Sequence, residues 1–116
     1  MPLVSQLFSG NQRLQECLTD DSAHVTPGSR GVHVALIQYA VLRLEGGQIE
    51  GREIREKLYG PSTAATVLAY KAQRKIVNTA YQKVADDIVG RMTIAALDRE
   101  MAMAETADIG RSILPL

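Results

Sequence analysis

A chain of 116 residues with 13 basic and 13 acidic side chains carries no net charge. That argues against a dedicated nucleic-acid binder, which needs a basic surface to neutralise phosphates, and against adsorption to an anionic membrane. The length suits one domain with a real core, and no apolar run reaches the span of a transmembrane helix.

In chain order, Leu3, Val4, Leu7 and Phe8, then Leu14, Cys17 and Leu18, predict two short amphipathic helices broken near Ser9-Gly10-Asn11. Residues 1–10 hold neither a basic n-region nor a long apolar h-region, so no secretory signal is read there. Residues 22–28 read as a polar connection turned by Pro27-Gly28. Ser29 is the expected cap of the next helix. Its core stripe is Val34, Ile37, Val41 and Leu44, thickened by Ala40, and Gly46-Gly47 ends it. Residues 48–57 read as a charged connection with one helical turn stitched by ion pairs. A further helix is predicted over residues 61–75, with Val67, Tyr70 and Arg74 on one face. Residues 76–85 read as an irregular loop carrying Tyr81. The last predicted helix covers residues 91–105, with Ala96, Leu97, Met101 and Ala104 in its stripe, and residues 109–116 read as a loose tail. No segment reads as a long strand, so the fold class is all-α.

One short segment occurs twice, thirty residues apart. Glu56-Lys57-Leu58-Tyr59-Gly60-Pro61-Ser62-Thr63 precedes Ala64, Ala65 and Val67, and Asp86-Asp87-Ile88-Val89-Gly90-Arg91-Met92-Thr93 precedes Ile94, Ala95 and Leu97. Both run acidic, x, aliphatic, apolar, Gly, x, x, Thr, then a helical pattern. Such a period suggests a duplicated supersecondary unit. Gly60 and Gly90 are expected at positive φ, where the chain turns into a helix. Pro61 suits a first helical position. Thr63 and Thr93 fall where a hydroxyl reaches unpaired backbone groups.

Chemistry-bearing residues are few. His24, His33 and Cys17 are the soft ligands, and their spacing fits no common zinc pattern, so no metal and no cofactor are expected. Cys17 lies at stripe spacing from Leu14 and reads as a buried thiol rather than a nucleophile. The pairs Asp20-Asp21 and Asp86-Asp87 read as caps or solvent-facing acids rather than a glycosidase pair. The chain is therefore not expected to be an enzyme.

Gly28-Ser29-Arg30-Gly31-Val32-His33-Val34-Ala35-Leu36-Ile37-Gln38 resembles the opening of the peptidoglycan-binding-domain-like family, G-x-x-G-x-x-V-x-x-L-Q. Residues 56–71 are similar to its middle block, D-G-x-F-G-x-x-T-x-x-A-V-x-x-F-Q, and residues 86–97 to its close, D-G-I-V-G-x-x-T-x-x-x-L. The three blocks stand in family order over residues 28–97. Phe8-Ser9-Gly10-Asn11-Gln12-Arg13-Leu14 is similar to a leader found before this domain in some multidomain proteins. The resemblance implies a small three-helix bundle with an additional N-terminal helical segment: a leader over 1–27, the domain over 28–105 and a tail over 106–116. It also implies a non-catalytic module that holds a partner to peptidoglycan, through glycan or stem peptide, in the cell envelope or periplasm. The partner would be a fused or associated cell-wall hydrolase or effector.

The chain departs from the pattern. Lys57 and Asp87 stand where the family has Gly, Lys71 replaces Gln, Tyr70 replaces Phe, and the segment from Tyr70 to Asp86 is longer. These departures leave open a second reading, a protein-interaction or structural module that keeps the fold without glycan binding. A DNA-binding three-helix domain is the third, and neutrality counts against it.

Ligand contacts are expected beside the two repeat loops. The candidates are Tyr39, Tyr59, Arg74, Tyr81, Asp86 and Asp87. Sugar binding uses flat aromatic rings, and Tyr39, Tyr59 and Tyr81 are the available platforms, Tyr70 being read as core. Tyr59 is expected to keep its ring in the core and its hydroxyl at the surface. Lys71, Arg74, Lys75, Lys83 and Arg91 form a basic cluster that could face stem-peptide carboxylates.

Overall fold

The structure, a computed structural model, describes residues 2–77 and 86–113. Two polar side chains start the first helices. Ser5 Oγ accepts from the Phe8 N–H and opens α1 (Gln6–Ser9), and Asn11 Oδ1 accepts from the Leu14 N–H and opens α2 (Gln12–Cys17). Each satisfies an N–H that a helix start leaves unpaired. Phe8, Leu14 and Cys17 are completely buried and share one core with the rest of the chain. Asp20 then caps a single 3₁₀ turn over Asp21–Ala23.

The central helix is α3 (Val32–Leu44). Ser29 does not cap it; the helix starts behind Gly31, whose φ of 131° is open to glycine. The reason is tertiary, since the Ser29 carbonyl accepts from the Tyr59 N–H and holds Ser29 outside the helix. Gly46 and Gly47, at φ 87° and 95°, terminate α3 as the sequence predicts.

The charged connection contains α4 (Gly51–Glu56), with Arg52 and Glu56 paired at 2.9 Å. Next come α5 (Pro61–Arg74), with Pro61 in its first turn, and α6 (Arg91–Ile113). Two of these helices end on a lysine in the left-handed region, Lys57 at φ 53° and Lys75 at φ 57°. Both closures are paired: the Leu58 and Ile76 N–H groups return to Glu53 O and Lys71 O, each at 2.9 Å.

The segment expected to be a loose tail from residue 109 is helical as far as Ile113. Tertiary partners fix the turns of the helix that precede it. Glu105 accepts from the Gln6 and Leu7 N–H groups, and Asp108 pairs with Arg43 at 3.1 Å. Asp98, seven residues before Glu105 and so about two turns away, accepts from the Val4 and Ser5 N–H groups. The two carboxylates dock the N-terminal segment along α6.

α3 packs against both α5 and α6, while α1 and α2 also meet α6. The molecule is an all-α small bundle. Val34, Ile37, Val41, Val67, Tyr70, Leu97 and Met101 are buried as predicted, and Leu44 packs at the edge. Among the described residues, no helix is long and apolar enough to cross a membrane.

Candidate functional site

The duplicated segments build matched loops on either side of residues 25–31. In the first, Gly28 N–H donates to Tyr59 O at 2.8 Å and Tyr59 N–H to Ser29 O at 2.9 Å. In the second, Val25 and Val89 exchange N–H···O bonds of 2.9 Å in both directions. The antiparallel bridge falls at Leu58 with Arg30 in the first loop and at Val89 with Val25 in the second, so the two pairings differ in register by one residue. The glycine carbonyls then accept the first bonds of the following helices, from Ala64 and Ile94, both at 2.9 Å.

A side chain from an earlier helix anchors each loop at the same register. Gln38 Nε2 on α3 donates to Leu58 O at 3.0 Å, and Lys71 Nζ on α5 donates to Ile88 O at 2.7 Å. Lys71, where the family pattern has Gln, therefore does for the second loop what Gln38 does for the first. The Tyr59 hydroxyl donates to Asp87 O and joins the two loops. Beneath the second, the Cys17 thiol donates to Val89 O at 3.4 Å. Burial pushes that thiol up to about 11, outweighing the nearby Arg13 charge.

Neither repeat glycine is at positive φ, which corrects the expectation from sequence. Gly60 is extended, at φ −100° and ψ −168°. Close approach is what requires it: a Cβ there would lie 2.6 Å from Glu53 Cδ. At Gly90 a Cβ would lie 3.1 Å from the His24 ring.

Glu53, read as part of an exposed ion-paired turn, is buried instead. Its carboxylate accepts from the N–H groups of Gly60, Ser62 and Thr63 and from the Ser62 and Thr63 hydroxyls. Burial opposes its charge, yet these donors outweigh burial and hold the carboxyl at about 2. The start of α5 is thus closed by a carboxylate from the chain itself.

At the start of α6 lies a groove of about 450 Å³. Asp21, His24, Lys71, Asp86, Gly90 and Arg91 line it, and Ile76, Val77, Ile88 and Met92 add an apolar wall. Its charges come in pairs. Lys71 Nζ, on a side chain only 7% exposed, meets Asp86 Oδ1 at 2.6 Å, and that oxygen also accepts from the Ile88 N–H. Arg91 Nη2 meets Asp21 Oδ1 at 2.9 Å at the outer edge. His24 Nε2 lies 3.5 Å from the same Asp21 oxygen, and the atom is buried without a hydrogen-bond partner.

Of the residues singled out from sequence, Asp86 lines this groove and Asp87 lies half-buried beside it, its carbonyl held by Tyr59. Tyr39 is exposed on α3 and does not line the groove. Tyr59 keeps its ring in the core as expected, but it is completely buried and its hydroxyl is held by the Asp87 carbonyl instead of reaching the surface. Burial and the neighbouring Asp87 and Asp86 charges raise its phenol far above the ordinary range.

Arg74 is engaged within the fold. It donates to Glu100 through Nε at 2.6 Å and Nη2 at 2.8 Å, to Glu45 at 2.7 Å, and stacks 3.8 Å over the Tyr70 ring. Tyr81 lies outside the described residues.

Sequence reasoning missed Asp21 and His24 as groove residues. The local signals were the Asp20-Asp21 pair and a lone imidazole in the polar connection over residues 22–28. Among the described residues, no three His, Cys, Asp or Glu side chains gather as a metal site. Comparisons with protein-family models, with curated proteins and with solved structures find no match to this chain.

Proposed function

We propose that this chain is a non-catalytic module that binds bacterial peptidoglycan and holds a partner domain or cargo to the wall, gripping the stem peptide rather than the sugar. The motif resemblance over residues 28–97 supplies the wall. The groove at the start of α6 supplies the preference for peptide, and it is the observation that carries the reading. Its described lining pairs two cations with two carboxylates beside aliphatic side chains, and the only ring in it is an imidazole. Sugar sites rest on flat aromatic platforms, and two of the four tyrosines, Tyr59 and Tyr70, are buried in the core. Affinity is modest, because a shallow polar groove gains little beyond the cost of ordering a flexible polymer.

Co-sedimentation with purified sacculi tests the reading. The folded protein pellets with intact sacculi and remains in solution with sacculi stripped of their peptides by an amidase. Absence of the folded protein from the intact-sacculi pellet overturns wall binding. It would favour the protein-interaction reading, which the exposed Met92, Met103 and Ile109 on α6 support. Equal pelleting with stripped sacculi would move the contact from the peptide to the glycan.

A further inference from the structure

The groove at the start of α6 sets a carboxylate beside a guanidinium at its edge. We propose that the Asp21–Arg91 pair at its edge recognises the free α-amino-acid end of a stem peptide, with the carboxylate on Arg91 and the ammonium on Asp21. The proposal rests on the stem-peptide reading above.

Arg91 occupies the first position of α6, where the helix dipole disfavours a positive charge. Asp21 offsets that charge but leaves most of the guanidinium open. The nearest approach is Nη2 to Asp21 Oδ1 at 2.9 Å, a guanidinium carries five donors, and the side chain is 52% exposed. Asp21 approaches Arg91 most closely through Oδ1, and its side chain is 77% exposed, so the carboxylate is open to a further donor. A solvent-exposed pair of this kind contributes little to stability, and a ligand that inserts beside it gives up little.

The deeper pair repeats the pattern, with Lys71 against Asp86. A simple anion entering the groove meets two carboxylates, and a simple cation meets two bases. A zwitterion laid along the Asp21–Arg91 pair meets an opposite charge at each end. Charge-assisted bonds of this kind to a guanidinium and a carboxylate are directional, so they select orientation as well as charge. Ile76, Val77, Ile88 and Met92 offer a surface for the aliphatic arm that bears such an end. Diaminopimelate in a stem peptide has this make-up: an aliphatic arm ending in a carbon with free ammonium and free carboxylate.

The test is calorimetric titration with the soluble tripeptide Ala-γ-Glu-meso-diaminopimelate. Two modified peptides accompany it, one amidated at the carboxyl of the free diaminopimelate centre and one N-acetylated at its ammonium. Either modification is expected to weaken binding about tenfold or more. Arg91→Gln should remove the penalty for amidation alone, and Asp21→Asn the penalty for acetylation alone. Both positions are exposed, and circular dichroism verifies that the variants fold. Failure of the unmodified tripeptide to bind, equal binding of all three peptides, or penalties that survive in both variants would each overturn the assignment. If sacculi pellet the protein while the three peptides bind equally, wall binding stands and this proposal falls. If the tripeptide binds but sacculi do not pellet the protein, the converse holds.

Discussion

Glu53 gives the sharpest quantitative consequence of this structure. Replacing it with Gln keeps the shape but removes the charge that accepts five hydrogen bonds at the start of α5. A carboxyl held at about 2 instead of 4.5 is stabilised in its charged form by roughly 3 kcal/mol. The folded value is depressed, so the contribution is fully present above about pH 4.5 and disappears as pH falls towards 2. Urea unfolding followed by far-ultraviolet circular dichroism measures it. Glu53→Gln should be roughly 3 kcal/mol less stable than wild type at pH 7, a loss of about 10 °C in Tm for a domain of this size. At pH 3 the gap should narrow to about 1 kcal/mol, because most of the wild-type advantage has been titrated away. A gap below about 1 kcal/mol at pH 7, or the same gap at both pH values, would refute the reasoning.

Other substitutions separate the causes invoked above. Gly60→Ala places a methyl 2.6 Å from a carboxylate fixed by its donors and should cost about 1 to 3 kcal/mol. Gly90→Ala meets a part-exposed His24 ring that can rotate away and should cost less than about 1 kcal/mol; equal losses would contradict the close-approach account. Val67→Ala and Leu97→Ala, both at completely buried positions, should each lower unfolding stability by about 1 to 5 kcal/mol, and losses below half of the lower bound at both would sink the core assignment.

What could be read from sequence was what is local and periodic. The stripes of α3, α5 and α6 place apolar residues three and four apart, and the structure buries them. The repeat was legible too, because a backbone bridge to residues 25–30 and the same first helical bond recur beside Gly60 and Gly90. The reason for those glycines was not, since it depends on Glu53 and His24 approaching from elsewhere in the chain. Ser29 looks like a cap because capping preference is local, whereas its backbone belongs to a bridge with Tyr59. The length of α6 was hidden for the same reason: Glu105 and Asp108 find partners on α1 and α3. The candidate site was least legible. Tyr59 has its hydroxyl partner 28 residues away, and Arg74 has its carboxylates 26 and 29 residues away. No pattern of neighbours reports that such a side chain is already engaged.

The two copies carry different residues at their helix starts, and Lys57 is the plainest difference in the first. Glu53 fills the start of α5, while the matching register before Gly90 is Lys83, outside the described residues, and the start of α6 opens on the groove. Lys57 stands where the family pattern has Gly, yet it adopts the backbone that glycine would, at φ 53° and ψ 42°. Its N–H donates to Ile54 O at 3.2 Å while the next N–H, of Leu58, returns to Glu53 O, so the closure of α4 depends on this conformation and not on the side chain. A left-handed backbone costs a residue with a Cβ about 1 to 2 kcal/mol, and glycine loses about 0.5 to 1 kcal/mol more chain entropy on folding. Lys57→Gly should therefore stabilise the protein by up to about 1 kcal/mol in urea unfolding at pH 7. A destabilised glycine variant would mean that the lysine side chain, exposed at the end of α4, holds the first loop through a contact of its own. A stabilised one would show that the loop keeps its glycine geometry against the cost of the residue it carries.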